Sequence, residues 1–224
     1  MGAIIYFVDL KPRVNQLPNA NLITFEGIDG CGKSTQIARV DAHLRSLGIE
    51  TVLLREPGGT PAGKQIRAIL LSRDGSGVEL DRLTEFLLFA ASRAQLVRQV
   101  IVPLLSRGAT VLLDRFYDSS LAYQGYGHGL DLDMIHRVNL AATGGLKPDL
   151  TILLDMPPEA ALARIKGGLD RIEQRGIVWF NRVREGFLDL AQQEPERWRV
   201  IDAAGEVDKV FGEIAKILRD QGIK

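Results

Sequence analysis

The segment 27–34, which reads GIDGCGKS, restricts the fold of this chain more than any other stretch. It fits the template G-x-x-x-x-G-K-[ST] of a phosphate-binding loop. The apolar residues 22–25 before it predict a buried strand, and apolar residues at helical spacing over 37–47 predict a helix after it. In that context the backbone N–H groups of the loop converge on phosphate. The segment therefore predicts a nucleoside triphosphate site, and a glycine-rich turn without a ligand is the alternative.

The residues of this loop have expected roles. Lys33 is expected to reach the β- and γ-phosphates, and the Ser34 hydroxyl is expected to bind Mg²⁺. Cys31, the only cysteine of the chain, is interpreted as a space-filling side chain rather than a redox centre. The predicted ATP-binding residues are Gly27, Ile28, Asp29, Gly30, Cys31, Gly32, Lys33, Ser34 and Thr35.

The charge balance and the single cysteine limit the partners and the compartment. Lys and Arg together number 28, as do Asp and Glu, so no nucleic-acid partner is expected. The apolar run at 3–8 is shorter than a signal peptide core of about 7–15 residues or a membrane span of about 20, so no membrane partner is expected. A chain without an internal disulfide suits a reducing cytoplasm.

Five β-prone segments alternate with helical patterns, namely 22–25, 50–55, 110–114, 150–155 and 198–202. This alternation predicts a three-layer α/β/α fold, in which helices cover both faces of a five-stranded parallel sheet. We expect a single domain over 21–224 and an N-terminal extension of unknown role at 1–20. Ligands of such sheets bind beyond the carboxyl ends of the strands. Arg55, Asp114, Arg115 and Asp155 fall at those ends, as does the loop.

The helical pattern over 83–101 has an apolar stripe with alanines in its middle. Small side chains in such a stripe indicate close packing against a neighbouring element. That neighbour is either another part of the same chain or a second subunit.

Basic residues collect near the expected binding edge although the chain has no net charge. The set comprises Lys33, Arg55, Arg93, Arg115, Arg164, Lys166 and Arg171. Such a set predicts more phosphate than one triphosphate carries, because phosphoryl transfer relies on cations around the transferring group. For Arg164 and Lys166 a solvated charged surface is an equal alternative.

Six short segments together carry a resemblance to a known family. They are FEGIDG at 25–30, REPGGT at 55–60, FAASR at 89–93, DRF at 114–116, AYQG at 122–125 and DRIE at 170–173. In this order they resemble the thymidylate kinases, and the likeness covers about 21–219. The resemblance implies transfer of the γ-phosphate of ATP to dTMP, giving dTDP and ADP for dTTP synthesis. It also implies Mg²⁺ as cofactor and a homodimer.

The resemblance further implies roles for individual residues. Phe89 would stack on thymine, Arg93 would donate to the base edge, and Tyr123 would crowd a 2′-hydroxyl group. Asp29 would lie near the sugar 3′-hydroxyl, and Arg115 would hold the dTMP phosphate with Arg55 nearby. The dTMP-binding set is Asp29, Arg55, Pro57, Phe89, Arg93, Arg115, Ser120, Tyr123 and Gln124. The implied catalytic residues are Lys33, Arg115, Arg171, Arg164 and Lys166, and the implied metal ligands are Ser34 and Asp114.

Thymidylate kinases differ in whether an extra catalytic arginine lies in the phosphate loop or in a lid that closes over ATP. This loop has Gly30 and no arginine, so the lid at about 164–176 is expected to supply it. The segment is shorter and less arginine-rich than the lid-type pattern. Arg171 is the firmest candidate because its context DRIE matches, whereas Lys166 cannot reproduce a bidentate arginine.

Three other functions remain to be distinguished. The first is a kinase for a different nucleoside monophosphate. The second is a GTP-dependent switch, which would need an Asn-Lys-x-Asp segment that the chain lacks. The third is an inactive phosphate-loop protein that acts in an assembly, against which Lys33, Ser34 and Arg115 argue.

Overall fold

The central feature of the fold is a parallel sheet of five strands in the order β2-β3-β1-β4-β5. The computed structural model describes residues 21–71, 80–165, 172 and 175–223. The strands are β1 (Leu22–Glu26), β2 (Thr51–Arg55), β3 (Thr110–Asp114), β4 (Leu150–Asp155) and β5 (Trp198–Asp202). The sheet confirms the predicted fold class.

Helices connect the strands and cover the sheet. They are α1 (Lys33–Ser46), α2 (Pro61–Leu70), α3 (Arg82–Leu96), α4 (Val102–Ser106), α5 (Tyr117–Ser120), α6 (Leu132–Thr143), α7 (Pro158–Leu162), α8 (Ile177–Gln193) and α9 (Val207–Asp220). A π-helical turn at Val97–Ile101 joins α3 to α4, and another at Leu121–Gly127 follows α5.

Alternation along the strands places an apolar cluster on each face of the sheet. In β3, Leu112 packs in the cluster that includes α1, α8 and α9, whereas Val111 and Leu113 pack in the cluster that includes α3 and α6. Burial on both faces explains why these strands are almost continuously apolar in sequence. The strand β1 lies between β3 and β4, so the strand order reverses at the carboxyl end of β1, where the phosphate loop begins.

The apolar stripe of α3 is divided between the core and the surface. Ala90 is buried, as are Val97 and Ile101 in the turn that follows, whereas Leu83 and Leu87 are 42% and 46% exposed. Packing within the chain therefore accounts for the later part of the stripe only. By length and composition alone, the continuous helical segment 82–106 could cross a membrane. A core helix of a globular protein passes the same test, and one side of this segment lies in the core.

Candidate active site

A cleft of about 680 Å³ opens at the carboxyl ends of the central strands. The loop after β1 forms one side, and residues from β2, α3 and the segment after β3 form the other. Most of the residues expected to bind nucleotide line this cleft. They are Asp29, Gly30, Cys31, Gly32, Lys33, Ser34, Thr35, Arg55, Pro57, Phe89, Arg93, Asp114, Arg115, Ser120, Tyr123, Gln124 and Arg164.

The phosphate loop is shaped by glycines that other residues could not replace. Gly30 has φ +83°, and a Cβ atom built there would lie 2.0 Å from the backbone oxygen of Ala161 in α7. Gly27 has φ +131°, and its Cβ would lie 2.6 Å from the oxygen of Leu154 in β4. The loop therefore packs directly against the backbone of α7 and β4, and no arginine side chain fits at position 30.

Lys33 is the first residue of α1 and curls back over the loop. Its Nζ atom donates to the carbonyl oxygens of Gly27 and Ile28, each at 2.9 Å, and the residue is buried. The backbone of Gly27 and Ile28 thus positions the ammonium group, while the Ile28 side chain lies in the core and not in the cleft. Gly27 and Ile28, which were expected to bind ATP, do not line the cleft, and their carbonyl oxygens support Lys33.

Arg115 ties the loop to the second side of the cleft. Its Nη1 atom donates to the Gly27 oxygen at 2.9 Å and to Ser119 Oγ at 3.2 Å, and its Nη2 atom donates to Asp29 Oδ1 at 2.7 Å. The guanidinium lies 5.0 Å from the centre of the Tyr123 ring. Among the described residues, Arg115 alone has a positive φ without being glycine, at 70°. Such a conformation is unfavourable for a side chain, so the contacts of the guanidinium hold it in place.

Asp29 completes this contact between the two sides. Its second oxygen accepts from the Tyr123 hydroxyl at 3.0 Å. Burial opposes ionisation of the carboxyl, but Arg115 and Lys33 outweigh that effect and lower its pKa to about 2. Asp29 therefore stays ionised at neutral pH, and the same carboxylate helps to raise the pKa of Arg115 well above its ordinary value, against burial.

Asp114 and Ser34 form a group suited to Mg²⁺. Asp114 Oδ2 accepts from Arg55 at 2.9 and 2.7 Å, and Arg55 Nη2 also donates to Ser34 Oγ at 3.1 Å. The other oxygen, Asp114 Oδ1, is buried and has no hydrogen-bond partner among the described residues. Mg²⁺ usually binds one or two carboxylates together with phosphates and water. These residues fit that pattern, although the described chain has no group of three or more His, Cys, Asp or Glu side chains.

Arg93 is more enclosed than the sequence suggested. It is 1% exposed, and its guanidinium donates to Glu56, Asn139, Ser120 and the Phe116 oxygen. Every N–H group therefore has a protein acceptor, since Nη2 also pairs with Glu56 at 2.7 Å. The donation of Arg93 to a base stays a prediction, and it requires exchange of one contact. The 3.2 Å contacts to Ser120 and Phe116 are the longest.

Phe89 lies next to Arg93 on the wall of the cleft. Its ring is partly buried, packs against the core and also lines the cleft, and its stacking on a base stays a prediction. Tyr123 comes from the π-helical turn after α5 and packs against Trp179 and Phe187. Aromatic side chains together with a few polar groups are typical of a pocket for a small-molecule ligand.

The lid is only partly described. Arg164 lines the cleft and makes long contacts to the oxygens of Ala203 and Ala204, at 3.4 and 3.5 Å. Lys166 and Arg171 lie outside the described residues, so their expected catalytic roles stay predictions. Ile172 lines the cleft beyond them.

Asp155, at the end of β4, does not line the cleft. It forms a bidentate ion pair with Arg184 of α8, with both contacts at 2.7 Å. Its place at the end of an apolar strand resembles that of Asp114, and only the position of α8 distinguishes the two.

Several residues of the site were not predicted from the sequence. Glu26 ends β1 and is fully buried, and it accepts from the Phe116 N–H at 2.8 Å and from the Ser119 hydroxyl at 2.6 Å. It thus fixes the turn that carries Arg115. The additional residues are Glu26, Glu56, Arg67 and Ser119. Two of these residues could have been proposed from the sequence, because an acidic residue stands at the end of β1 (Glu26) and directly after β2 (Glu56).

Comparison with known proteins agrees with this geometry. The family model described as thymidylate kinase matches residues 25–214. The chain belongs to the thymidylate kinase family. It is 49% identical to the thymidylate kinase of Deinococcus radiodurans, over 89% of this chain and 97% of that protein. It is 47% identical to the thymidylate kinase of Kosmotoga olearia, over 87% and 93% of the two chains.

A solved structure of the family has the same fold. The crystal structure of thymidylate kinase from Ehrlichia chaffeensis matches with a TM-score of 0.75 at 34% identity, covering 90% of this chain and all of that one. This kinase is therefore a transferase with a nucleotide-binding cleft.

Burial of Glu26 predicts a pH dependence of stability. Burial and the nearby Asp118 carboxylate raise its pKa from 4.5 to about 8, against Arg115 and two hydrogen bonds. The native state then keeps a proton that the unfolded state loses. This contribution to the free energy of unfolding is complete below pH 4.5 and is lost as the pH rises through 8.

Glu26→Gln should therefore flatten the decrease in urea unfolding midpoint between pH 5 and pH 8. Glu50→Gln is the control, because that side chain is 59% exposed in a surface pair with Arg107. Equal slopes for wild type and Glu26→Gln would show that Glu26 does not carry the proton.

Proposed function

We propose that this kinase transfers the γ-phosphoryl group of ATP to the phosphate of dTMP, giving dTDP and ADP for dTTP synthesis. Family membership supports the reaction. The observation that carries the proposal is the position of Arg115. It contacts the phosphate loop through Gly27 and Asp29, while the ring of Tyr123, on the other side of the cleft, packs against it. One cationic group thus lies between the proposed donor site and the proposed acceptor site.

Two cations of this chain are proposed to stabilise the transferring group. An oxygen of the acceptor phosphate bonds to the γ-phosphorus as the bond to the β–γ bridging oxygen breaks, and ADP leaves with the electron pair. Negative charge spreads over the transferring oxygens, and fixed donors stabilise it. Lys33 and Arg115 both already donate to the oxygen of Gly27, so their charges converge on the loop before substrate binds.

The metal is proposed to bind beside these cations. Mg²⁺ bound with ATP would neutralise charge on the β- and γ-phosphate oxygens. The proposed protein ligands are Ser34 and Asp114 Oδ1, the oxygen that has no hydrogen-bond partner among the described residues. Arg55, which already contacts both residues, would keep them in place and face the acceptor phosphate.

The lid is proposed to supply a further catalytic cation. The close approach of Gly30 to Ala161 leaves no room for an arginine at position 30, which supports this division of roles. Arg171, with Arg164 and Lys166, is proposed to reach the transferring group when the lid closes.

The acceptor is proposed to be a thymine deoxynucleotide. Phe89 offers a stacking face, Arg93 and Gln124 are the polar groups at the base edge, and Pro57 and Ser120 complete the lining. Tyr123 is held by its hydrogen bond to Asp29, so its ring can crowd a 2′-hydroxyl group. A polar edge discriminates bases more strongly than one methyl group does.

ADP release across a panel of nucleoside monophosphates tests this assignment. We expect kcat/KM to decrease from dTMP to dUMP by about 10–200-fold, the effect of one methyl group. The kcat/KM values for dCMP and UMP should be lower still. The base edge of dCMP does not match the polar groups of the pocket, and the 2′-hydroxyl group of UMP is crowded by Tyr123. Equal efficiency with dCMP or UMP would assign the chain to another nucleoside monophosphate, and no turnover with any of them would contradict the kinase assignment.

We also propose that the kinase is a cytoplasmic homodimer. The outer face of α3 supports the dimer, because Leu83 and Leu87 are exposed there and Ala91 and Ala94 line a shallow groove further along. The single cysteine, Cys31, supports a reducing compartment. We propose no nucleic-acid partner, because acidic and basic residues are equal in number. We also propose no membrane partner.

Sedimentation tests the dimer. Wild type should sediment as a dimer at micromolar concentration, and Leu87→Glu should sediment as a monomer because it places a charge in the apolar contact. Leu47→Glu is the matched control, since Leu47 is similarly exposed at the end of α1, away from this face. A wild-type monomer, or a dimer that Leu87→Glu does not affect, would refute this interface.

A further inference from the structure

Glu85 is a buried carboxylate that joins three parts of the chain. It lies in the first turn of α3 and is 1% exposed. Its Oε1 atom accepts from Gln124 Nε2 at 2.9 Å and lies 3.3 Å from His128 Nε2. Its Oε2 atom accepts from Arg175, just before α8, at 3.4 Å. The phosphate loop contributes nothing to this cluster, so phosphate binding does not explain it.

The carboxylate fixes which end of the Gln124 amide faces it. Both oxygens of Glu85 accept hydrogen bonds, from Gln124 Nε2 and from the Arg175 guanidinium, so the amide NH₂ group of Gln124 points toward Glu85. The amide oxygen of Gln124 then points away from Glu85, and the only side-chain hydrogen bond of Gln124 within the described residues is the one that its nitrogen donates. Gln124 is 2% exposed overall, yet it lines the cleft with Phe89 and Ser120. The group left for a ligand is therefore an acceptor.

We propose that Glu85 is a positioning residue that sets base specificity through Gln124. By holding the amide in one orientation, it makes the cleft present an oxygen to the pyrimidine edge. Thymine and uracil have an N–H group at ring position 3, whereas cytosine has an acceptor there. Two acceptors facing each other remain unpaired, and this kind of mismatch is strongly discriminated. The inference rests on the proposed function, because it assumes a pyrimidine in this pocket.

Glu85→Gln tests the orientation directly. A glutamine at this position can donate to the Gln124 oxygen as well as accept from its nitrogen, so either orientation of Gln124 becomes available. The ratio of kcat/KM for dUMP over dCMP should decrease by at least about tenfold, since these bases differ only at the edge. The ratio of dTMP over dUMP should stay within about twofold, because the methyl contact does not involve Glu85.

A second substitution separates positioning from general packing. Gln124→Met removes the amide, and it should itself lower the dUMP-over-dCMP ratio by at least about tenfold. In that background Glu85→Gln should have no further effect on the ratio, because Glu85 acts through Gln124. Trp179→Phe is the matched control. It perturbs a ring that contacts His128 and Arg175 without altering the carboxylate, and it should leave the ratio unchanged.

Each outcome bears on the inference. An unchanged dUMP-over-dCMP ratio in Glu85→Gln would overturn it. It would also be overturned if Glu85→Gln lowered this ratio equally in the wild-type and Gln124→Met backgrounds. If Glu85→Gln does not fold, Glu85→Asp takes its place, because the shorter side chain withdraws the carboxylate from Gln124 Nε2 while keeping the acid. It should lower the dUMP-over-dCMP ratio, and an unchanged ratio would overturn the inference. A wild-type enzyme without preference between dUMP and dCMP would instead contradict the proposed substrate.

Discussion

The contact between Arg115 and the phosphate loop is the interaction on which the rest of the site depends. Arg115 adopts a left-handed backbone conformation directly after β3, and its guanidinium donates to Gly27 and Asp29 of the loop after β1. The strands β1 and β3 pair side by side, so a short turn suffices to bring the two segments together. Glu26 secures this turn through Phe116 and Ser119. Sheet register therefore determines where the charges meet.

The cleft keeps its cations in place by pairing them within the protein. Arg115 pairs with Asp29, Arg55 with Asp114, and Arg93 with Glu56. Removing one partner of a buried pair is costly, because the other charge is left without compensation. Such pairs position each cation before substrate arrives, and phosphate can then share the donors. The enclosed Arg93–Glu56 pair is the least adaptable, whereas Arg55 is 52% exposed and can follow a ligand.

Sequence patterns were sufficient for the sheet and the phosphate loop because both depend on local spacing. The apolar runs became strands, and the GIDGCGKS segment became a loop that leads into α1. Contacts between side chains that are distant in sequence could not be predicted from local spacing. Nothing local distinguishes Asp155, which pairs with Arg184, from Asp114, which lines the cleft. Glu85 and Gln124 are likewise 39 positions apart, and only the tertiary fold brings the two side chains into hydrogen-bond contact.

A double-mutant cycle between Asp29 and Arg115 tests most directly whether the two sides of the cleft act as one unit. It would compare kcat/KM for dTMP, at saturating ATP, in wild type, Asp29→Asn, Arg115→Lys and the double variant. Because the carboxylate and guanidinium are in contact at 2.7 Å, the losses should be strongly non-additive, with a coupling of about 0.5–3 kcal/mol. Losses that simply add would mean that the contact does not join the donor and acceptor sites, and would contradict the central role of Arg115.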